Sequence, residues 1–154
     1  MSLEKLLEDL GGSIGMMRIN AAKELGKLGN KSAAGPLLNA LKDTNQSVRS
    51  NAAYSLAELG ASESIQPLIL ALDDSDDRVR KSAAKALGML KAKQAVAPLI
   101  KATQDPAASV RKCAARSLGQ IGDHSALAVL EKACHDPDFF VAKQAQEALR
   151  SISS

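Results

Sequence analysis

Few residues of this 154-residue chain are of the types that do covalent or metal chemistry. There are two cysteines, Cys113 and Cys134, and two histidines, His124 and His135. Cys113 has cations close by on either side, Lys112 and Arg116, the setting in which a thiol is lowered in pKa and becomes a nucleophile. No histidine stands in view as its base. The acidic run Asp73, Asp74, Asp76 and Asp77 offers oxygen ligands of the kind calcium takes. It lacks the later glycine and glutamate of a calcium loop, and helix N-capping accounts for it better. Gly11–Gly12 reads as a cap turn, because no phosphate loop or dinucleotide fingerprint accompanies it. Two cysteines are too few for a disulfide framework or a multi-thiolate metal site. The expectation is no catalytic set, no metal and no cofactor.

The remaining residues, by contrast, recur at a fixed interval. Segments starting at Val48, Val79 and Val110 read VRSNAAYSLAELG, VRKSAAKALGMLK and VRKCAARSLGQIG, with anchors 31 residues apart. One step back lies Met17 (MRINAAKELGKLG), and one step forward lies Val141 (VAKQAQEALRSIS). Five copies in register, without insertion, mark a repeat array. In each, apolar or small residues stand at helical spacing; in the third they are Val79, Ala83, Ala84, Leu87 and Leu90. We call this amphipathic segment the arginine helix. A second pattern, the proline helix, reads AAGPLLNALKD from Ala33, SIQPLILALDD from Ser64 and AVAPLIKATQD from Ala95. Nothing alternates with period two, so no strand is predicted.

Helices of roughly 11 to 14 residues are marginal alone in water, so each must bury its stripe on a neighbour. Gly29, Gly60 and Gly122 follow arginine helices where a left-handed residue is wanted, and Lys91 takes that place once, at a conformational cost. Pro36, Pro67 and Pro98 must lie early in their helices or bend them. The alanine pairs at 21–22, 52–53, 83–84 and 114–115 are expected at the closest approach of backbones. A bulkier residue at Ala84 is expected to overpack at a cost of about 1–3 kcal/mol. Leu6, Leu7 and Leu10 stand one repeat before Leu37, Leu38 and Leu41 and predict an unpaired first proline helix. At the far end Gln146 puts a polar residue in the alanine seam, as a terminal cap requires.

The expected fold is therefore all-α: a right-handed α-solenoid (an α-α superhelix) of 31-residue helix hairpins with half-repeat caps. It would form one domain over 1–154, with a cap helix at 2–10, repeats beginning near 14, 45, 76 and 107, and a terminal helix at 138–152. A hydrophobic content of 45% excludes disorder. No apolar run approaches the roughly 18 residues that span a bilayer. The opening residues carry acids in place of a basic secretory leader, so a cytoplasmic protein without membrane contact is expected.

The run Asp-x5-Arg at Asp43/Arg49, Asp74/Arg80 and Asp105/Arg111, followed by Ala-Ala and Leu-Gly, resembles HEAT repeats. The unit length, and the spacing from Gly29 to Pro36–Leu37 and from Gly60 to Pro67–Leu68, resemble the short, phycobilisome-lyase-type HEAT-like subfamily. The resemblance implies that aspartates and arginines form a hydrogen-bonded ladder between neighbouring units, and that the second helices line a concave surface. It implies a fold more than a function, since the subfamily spans lyases and scaffolds. No His-Glu pair recurs, unlike in the iron-dependent hydroxylases built on similar repeats.

In register, His124 aligns with Lys31, Ser62 and Lys93, and His135 with Lys42, Asp73 and Gln104, so both are expected at the surface. Cys134 aligns with Leu41 and Leu72 and reads as a small core residue. Cys113 aligns with Asn20, Asn51, Ser82 and Gln144 and reads as exposed. The outward positions of the arginine helices form rows: Ile19, Ser50, Lys81, Lys112, Lys143, then Lys23, Tyr54, Lys85, Arg116, Glu147. Flanking rows add Met16, Arg78 and Phe140 on one side and Lys27, Glu58 and Met89 on the other. With Asp77, this face carries eight cations against three anions in a chain of net charge +3, so the rest is slightly acidic.

Candidate partner-binding residues are therefore Lys23, Tyr54, Arg78, Lys81, Lys85, Met89, Lys112, Arg116, Phe140 and Lys143. Tyr54, Met89 and Phe140 serve as apolar anchors. Five helices side by side make a groove on the order of 40 Å long, which suits an extended partner. The plainer alternative is that these lysines only solvate a helix face. The expected function is a non-catalytic interaction module or scaffold for an extended, acidic protein segment. Two alternatives stand beside it. One, implied by the resemblance, is a bilin (phycobiliprotein) lyase or lyase subunit, with propionates in the basic groove. The other is weak nucleic-acid binding through phosphates, for which a single central aromatic gives no stacking platform. Phe139 and Phe140 form a further apolar patch that suits self-association.

Overall fold

In the computed structural model, which describes Met1–Ser154, the 31-residue pattern becomes ten α-helices and no strand. The proline helices are α1 (Leu3–Leu10), α3 (Ala34–Ala40), α5 (Ile65–Ala71), α7 (Val96–Ala102) and α9 (Leu127–Ala133). The arginine helices are α2 (Gly15–Leu28), α4 (Gln46–Glu58), α6 (Asp77–Met89), α8 (Ala108–Ile121) and α10 (Phe139–Ser153). Arginine helices pack on one another in series, α2 on α4, α4 on α6, α6 on α8 and α8 on α10. Each proline helix packs mainly on the arginine helix that follows it. The result is an α-solenoid.

Side-chain caps open three of the five arginine helices, and a left-handed residue follows four of them. Asn45, Asp76 and Asp138 accept the N–H groups of Ser47, Arg78 and Phe140 at 2.8, 2.9 and 2.9 Å, satisfying donors that the first turn leaves free. At the other end Gly29, Gly60 and Gly122 adopt φ of 71°, 65° and 77°, and Lys91 is held at φ 49°. A side chain in that left-handed conformation costs about 1–2 kcal/mol, partly offset by the extra freedom glycine has when unfolded. Lys91→Gly is accordingly expected to stabilise the fold by about 0.5–1 kcal/mol. A thermal melt checks this, and a midpoint lower than that of the parent contradicts it.

The proline helices are shorter than their sequence pattern suggests. Those of the four repeats hold seven residues each and follow a single 3-10 turn, as Lys31–Ala33 precedes α3. Pro36, Pro67 and Pro98 fall third in their helices, where the missing N–H leaves no intrahelical bond unmade. The helices stop early because Asp43, Asp74 and Asp105 leave helical geometry for their carboxylates to meet the arginine 25 residues earlier in the chain. Leu25, Leu56, Leu87 and Leu118, with Leu37, Leu68, Leu99 and Leu130 from the proline helices, are all 0% exposed; Leu25, Leu37 and Leu56 belong to one core cluster and the other five to a second, with Leu41 packed against both.

The alanine pairs are buried, and the glycines of the Leu-Gly steps at 26, 88 and 119 lie hard against the next arginine helix. A Cβ added at Gly119 would stand 2.8 Å from Cβ and 2.9 Å from Cα of Ala148. At Gly26 and Gly88 it would meet Cβ of Ser55 and of Ser117, both at 2.6 Å. That closeness lets Ser55 and Ser117 donate their hydroxyls to the carbonyls of Ala22 and Ala84 at 2.7 and 2.6 Å. Two pairs of arginine helices are thus tied by a bond across a side-chain-free surface.

Counting each proline helix with the arginine helix that packs on it as one unit, the ladder joins each unit to the next. Arg80 donates from Nε to Asp105 Oδ2 at 2.8 Å and from Nη2 to Oδ1 at 3.1 Å. Its Nη1 donates to the carbonyl of Asp74, in its own unit, at 2.9 Å. Asp105 Oδ1 also accepts the Ala107 N–H at 2.9 Å. Arg18–Asp43, Arg49–Asp74 and Arg111–Asp136 repeat the bidentate pairing. At the first rung Gly12 has no carboxylate, yet its carbonyl still accepts Arg18 Nη1 at 3.1 Å. Burial pushes the Asp43, Asp74 and Asp105 carboxyls up, but the arginine and backbone hydrogen bonds outweigh it and hold all three below the ordinary value. At Asp136 the Arg111 bond is the largest influence, in the same direction.

Candidate functional site

Residues four apart on a helix share one face. Lys81 and Lys85 therefore project together from α6, and Lys112 and Arg116 from α8. Because α6 packs directly on α8, the two pairs converge on one indentation of about 260 Å³, its wall completed by Ser109, Cys113 and Ser117. No carboxylate lines it. The nine ion pairs of the chain use none of these four cations. Four free positive charges around a small volume repel one another, and an anion placed among them relieves that repulsion.

Aromatic side chains support two of the four. Lys85 Nζ lies 4.6 Å from the centre of the Tyr54 ring on α4, and Lys112 Nζ lies 5.5 Å from that of Phe140 on α10. These cation–π contacts hold the ammonium groups in place without neutralising them. Of the ten sequence candidates, the structure gathers Lys81, Lys85, Lys112 and Arg116 in the pocket, with Tyr54 and Phe140 on its flanks. Arg78 is turned to Asp76, its Nε and Nη2 at 3.2 and 3.0 Å from the carboxylate. Lys23, Met89 and Lys143 lie on the same helix layer outside the pocket. Phe139 and Phe140 meet edge to face at 5.5 Å and are 70% and 62% exposed.

Cys113 departs from its expected exposure and reactivity. It is half-buried, and burial pushes its thiol up. The charges of Lys81, Lys85, Lys112 and Arg116 pull the other way without winning. The thiol is protonated and poorly nucleophilic. Its polar counterparts misled because their position faces the preceding helix: Asn51 donates to the Ile19 carbonyl at 3.2 Å, and the Ser82 hydroxyl meets that of Ser50 at 2.7 Å. Ser117 was not legible as part of the site, its only signal being a serine in the second and fourth copies at a position that is otherwise mostly alanine. Cys134 is partly buried against the core, and His124 and His135 are exposed. Within the acidic run, Asp74 is a ladder rung, Asp76 caps α6 and Asp73 stands 3.5 Å from Lys101. No three His, Cys, Asp or Glu residues are grouped to hold a metal ion. No helix is long and apolar enough to cross a membrane.

The family pattern of HEAT repeats matches residues 3–86 and, in an overlapping placement, 65–150. The chain is a HEAT-repeat protein. Among solved structures it is similar to a chain of the CpcE–CpcF complex of phycocyanin lyase from Nostoc sp. PCC7120, with 27% identity and a TM-score of 0.91. That likeness supports the phycobilisome-lyase type of HEAT-like repeat; it covers 99% of this chain but only 65% of the lyase chain. An engineered protein shares 26% identity at a TM-score of 0.75, covering 100% of this chain and 81% of that one. A designed armadillo repeat protein in complex with the peptide (KR)4 shares the fold at 23% identity and a TM-score of 0.73, covering 97% and 81% of the two chains. No curated protein sequence matches this HEAT-repeat protein.

Proposed function

We propose that this HEAT-repeat array is a non-catalytic binding module that grips an extended, acidic protein segment along its arginine-helix layer. The observation that carries the reading is the convergence of four unpaired cations between α6 and α8. The packing supports a concave face there, because arginine helices pack tightly in series while successive proline helices scarcely touch. A layer packed more closely than its opposite curves toward itself. Lys23 and Lys143 extend the positive field beyond the pocket, and exposed Phe140 and Met89 supply apolar contact. The mechanism is electrostatic steering followed by burial of those few anchors.

Reversal of charge at Lys112 and Arg116, both exposed and outside the core, tests the reading without threatening the fold. The doubly substituted Lys112→Glu, Arg116→Glu protein is expected to bind a glutamate-rich peptide at least about tenfold more weakly, with a flatter salt dependence. Titration calorimetry at two ionic strengths measures both. Unchanged affinity overturns the assignment.

A second reading, handling of a linear tetrapyrrole, rests on the likeness to the phycocyanin lyase complex. The four cations suit two propionates, but the protonated Cys113 thiol is a poor transient acceptor. An absorbance shift on mixing with free bilin supports this reading, and an unchanged spectrum disposes of it.

A further inference from the structure

The positive charge of the arginine-helix layer is focal. Along the two central rows the residues before α6 are Ile19 and Ser50, then Lys23 and Tyr54, and those after α8 are Lys143 and Glu147. Only between α6 and α8 do four cations meet, two per helix, one turn apart. A nucleic-acid backbone presents phosphates at regular intervals and is best matched by a continuous stripe. The Tyr54 ring, a surface for stacking a base, is already covered by Lys85. A single carboxylate, with one charge, leaves most of the pocket's field uncompensated. A phosphate monoester carries nearly two charges at neutral pH and three strong acceptor oxygens, and its oxygens suit the fork of an arginine.

From this focal geometry we infer that the α6–α8 pocket is a receptor for one phosphorylated serine or threonine of the bound segment. Arg116 forks onto two of its oxygens, and Lys81, Lys85 and Lys112 close around the third. Phe140 and Tyr54 steady the lysines from either flank. The inference rests on the proposed function, since it names the chemistry of the anchor within that same groove, and it adds a regulatory consequence. Phosphorylation of the partner strengthens the interaction.

The test uses the full chain and one acidic peptide in three forms, with a central serine, aspartate or phosphoserine, plus inorganic phosphate alone. The phosphoserine peptide is expected to bind at least about tenfold tighter than the aspartate form, and inorganic phosphate more weakly than either. Arg116→Gln and Lys112→Gln are expected to erase the preference for phosphoserine and leave the thermal midpoint unchanged, since both side chains are exposed. In a Cys134→Ser background, the phosphoserine peptide is expected to slow modification of Cys113 by an anionic thiol reagent, because that sulfur lines the same wall. Equal affinity for phosphoserine and aspartate overturns the inference while leaving the acidic-segment reading intact. Inorganic phosphate, or duplex DNA titrated in parallel, binding as tightly as the phosphopeptide overturns the source assigned to the anion. Failure of all three peptides to bind overturns both readings.

Discussion

Gly119→Ala is expected to destabilise the array by about 2–3 kcal/mol, although intrinsic helix propensity favours alanine by about 1 kcal/mol. The added Cβ would fall 2.8–2.9 Å from Cβ and Cα of Ala148. One of those atoms is backbone, so α8 and α10 must separate, and the seam on either side opens with them. For a chain of this size the midpoint of a thermal melt should drop by about 4–12 °C. Two controls separate packing from propensity. Gly35, also helical, has nothing within 4 Å of an added Cβ, and Gly35→Ala is expected to be neutral or slightly stabilising. Ala148→Gly placed in the Gly119→Ala protein should recover part of the loss. A stabilised Gly119→Ala protein contradicts the close approach.

The second large effect concerns the ladder. Arg80→Ala removes both bonds to Asp105 and the bond to the Asp74 carbonyl, in a pair whose side chains are only 15% and 9% exposed. An orphaned carboxylate at that depth is expected to cost about 2–3 kcal/mol. Arg80→Lys keeps the charge but not the fork and should recover only part of this. The pH dependence has a definite sign. Asp105 is held below its ordinary value in the folded protein. Its contribution is therefore present above about pH 3.9 and is lost as pH falls through the lower folded value. The stability gap between parent and Arg80→Ala should be widest near neutrality and narrow in acid. Urea titrations across pH measure it, and a gap that widens in acid refutes the ladder's electrostatic role.

Periodicity made the helices legible because each unit repeats the same burial problem. Val48, Val79, Val110 and Val141 are each at most 1% exposed, as one stripe position repeated down a stack must be. The left-handed residue at Lys91 was legible for the same reason: its counterparts are glycines. Other features depend on contacts between units that no within-unit pattern records. Gly88 meets Ser117, and Gly119 meets Ala148, each 29 residues away in the next unit, out of phase with the repeat. The half-buried state of Cys113 was hidden because its counterparts are polar for cross-helix bonding rather than for solvation. The row of lysines was legible, but its narrowing to one pocket needed the packing of α6 on α8. Likewise, the pairing of Arg78 with Asp76 turns on one side-chain rotamer.

Amide shifts recorded while a glutamate-rich peptide is titrated into the full chain address the central claim most directly. Perturbations confined to α4, α6, α8 and α10, strongest around Lys85, Lys112 and Arg116, are the predicted result. Perturbations centred on the proline-helix side, around exposed Leu70 or Lys101, would mean that the positive wall is not where partners dock.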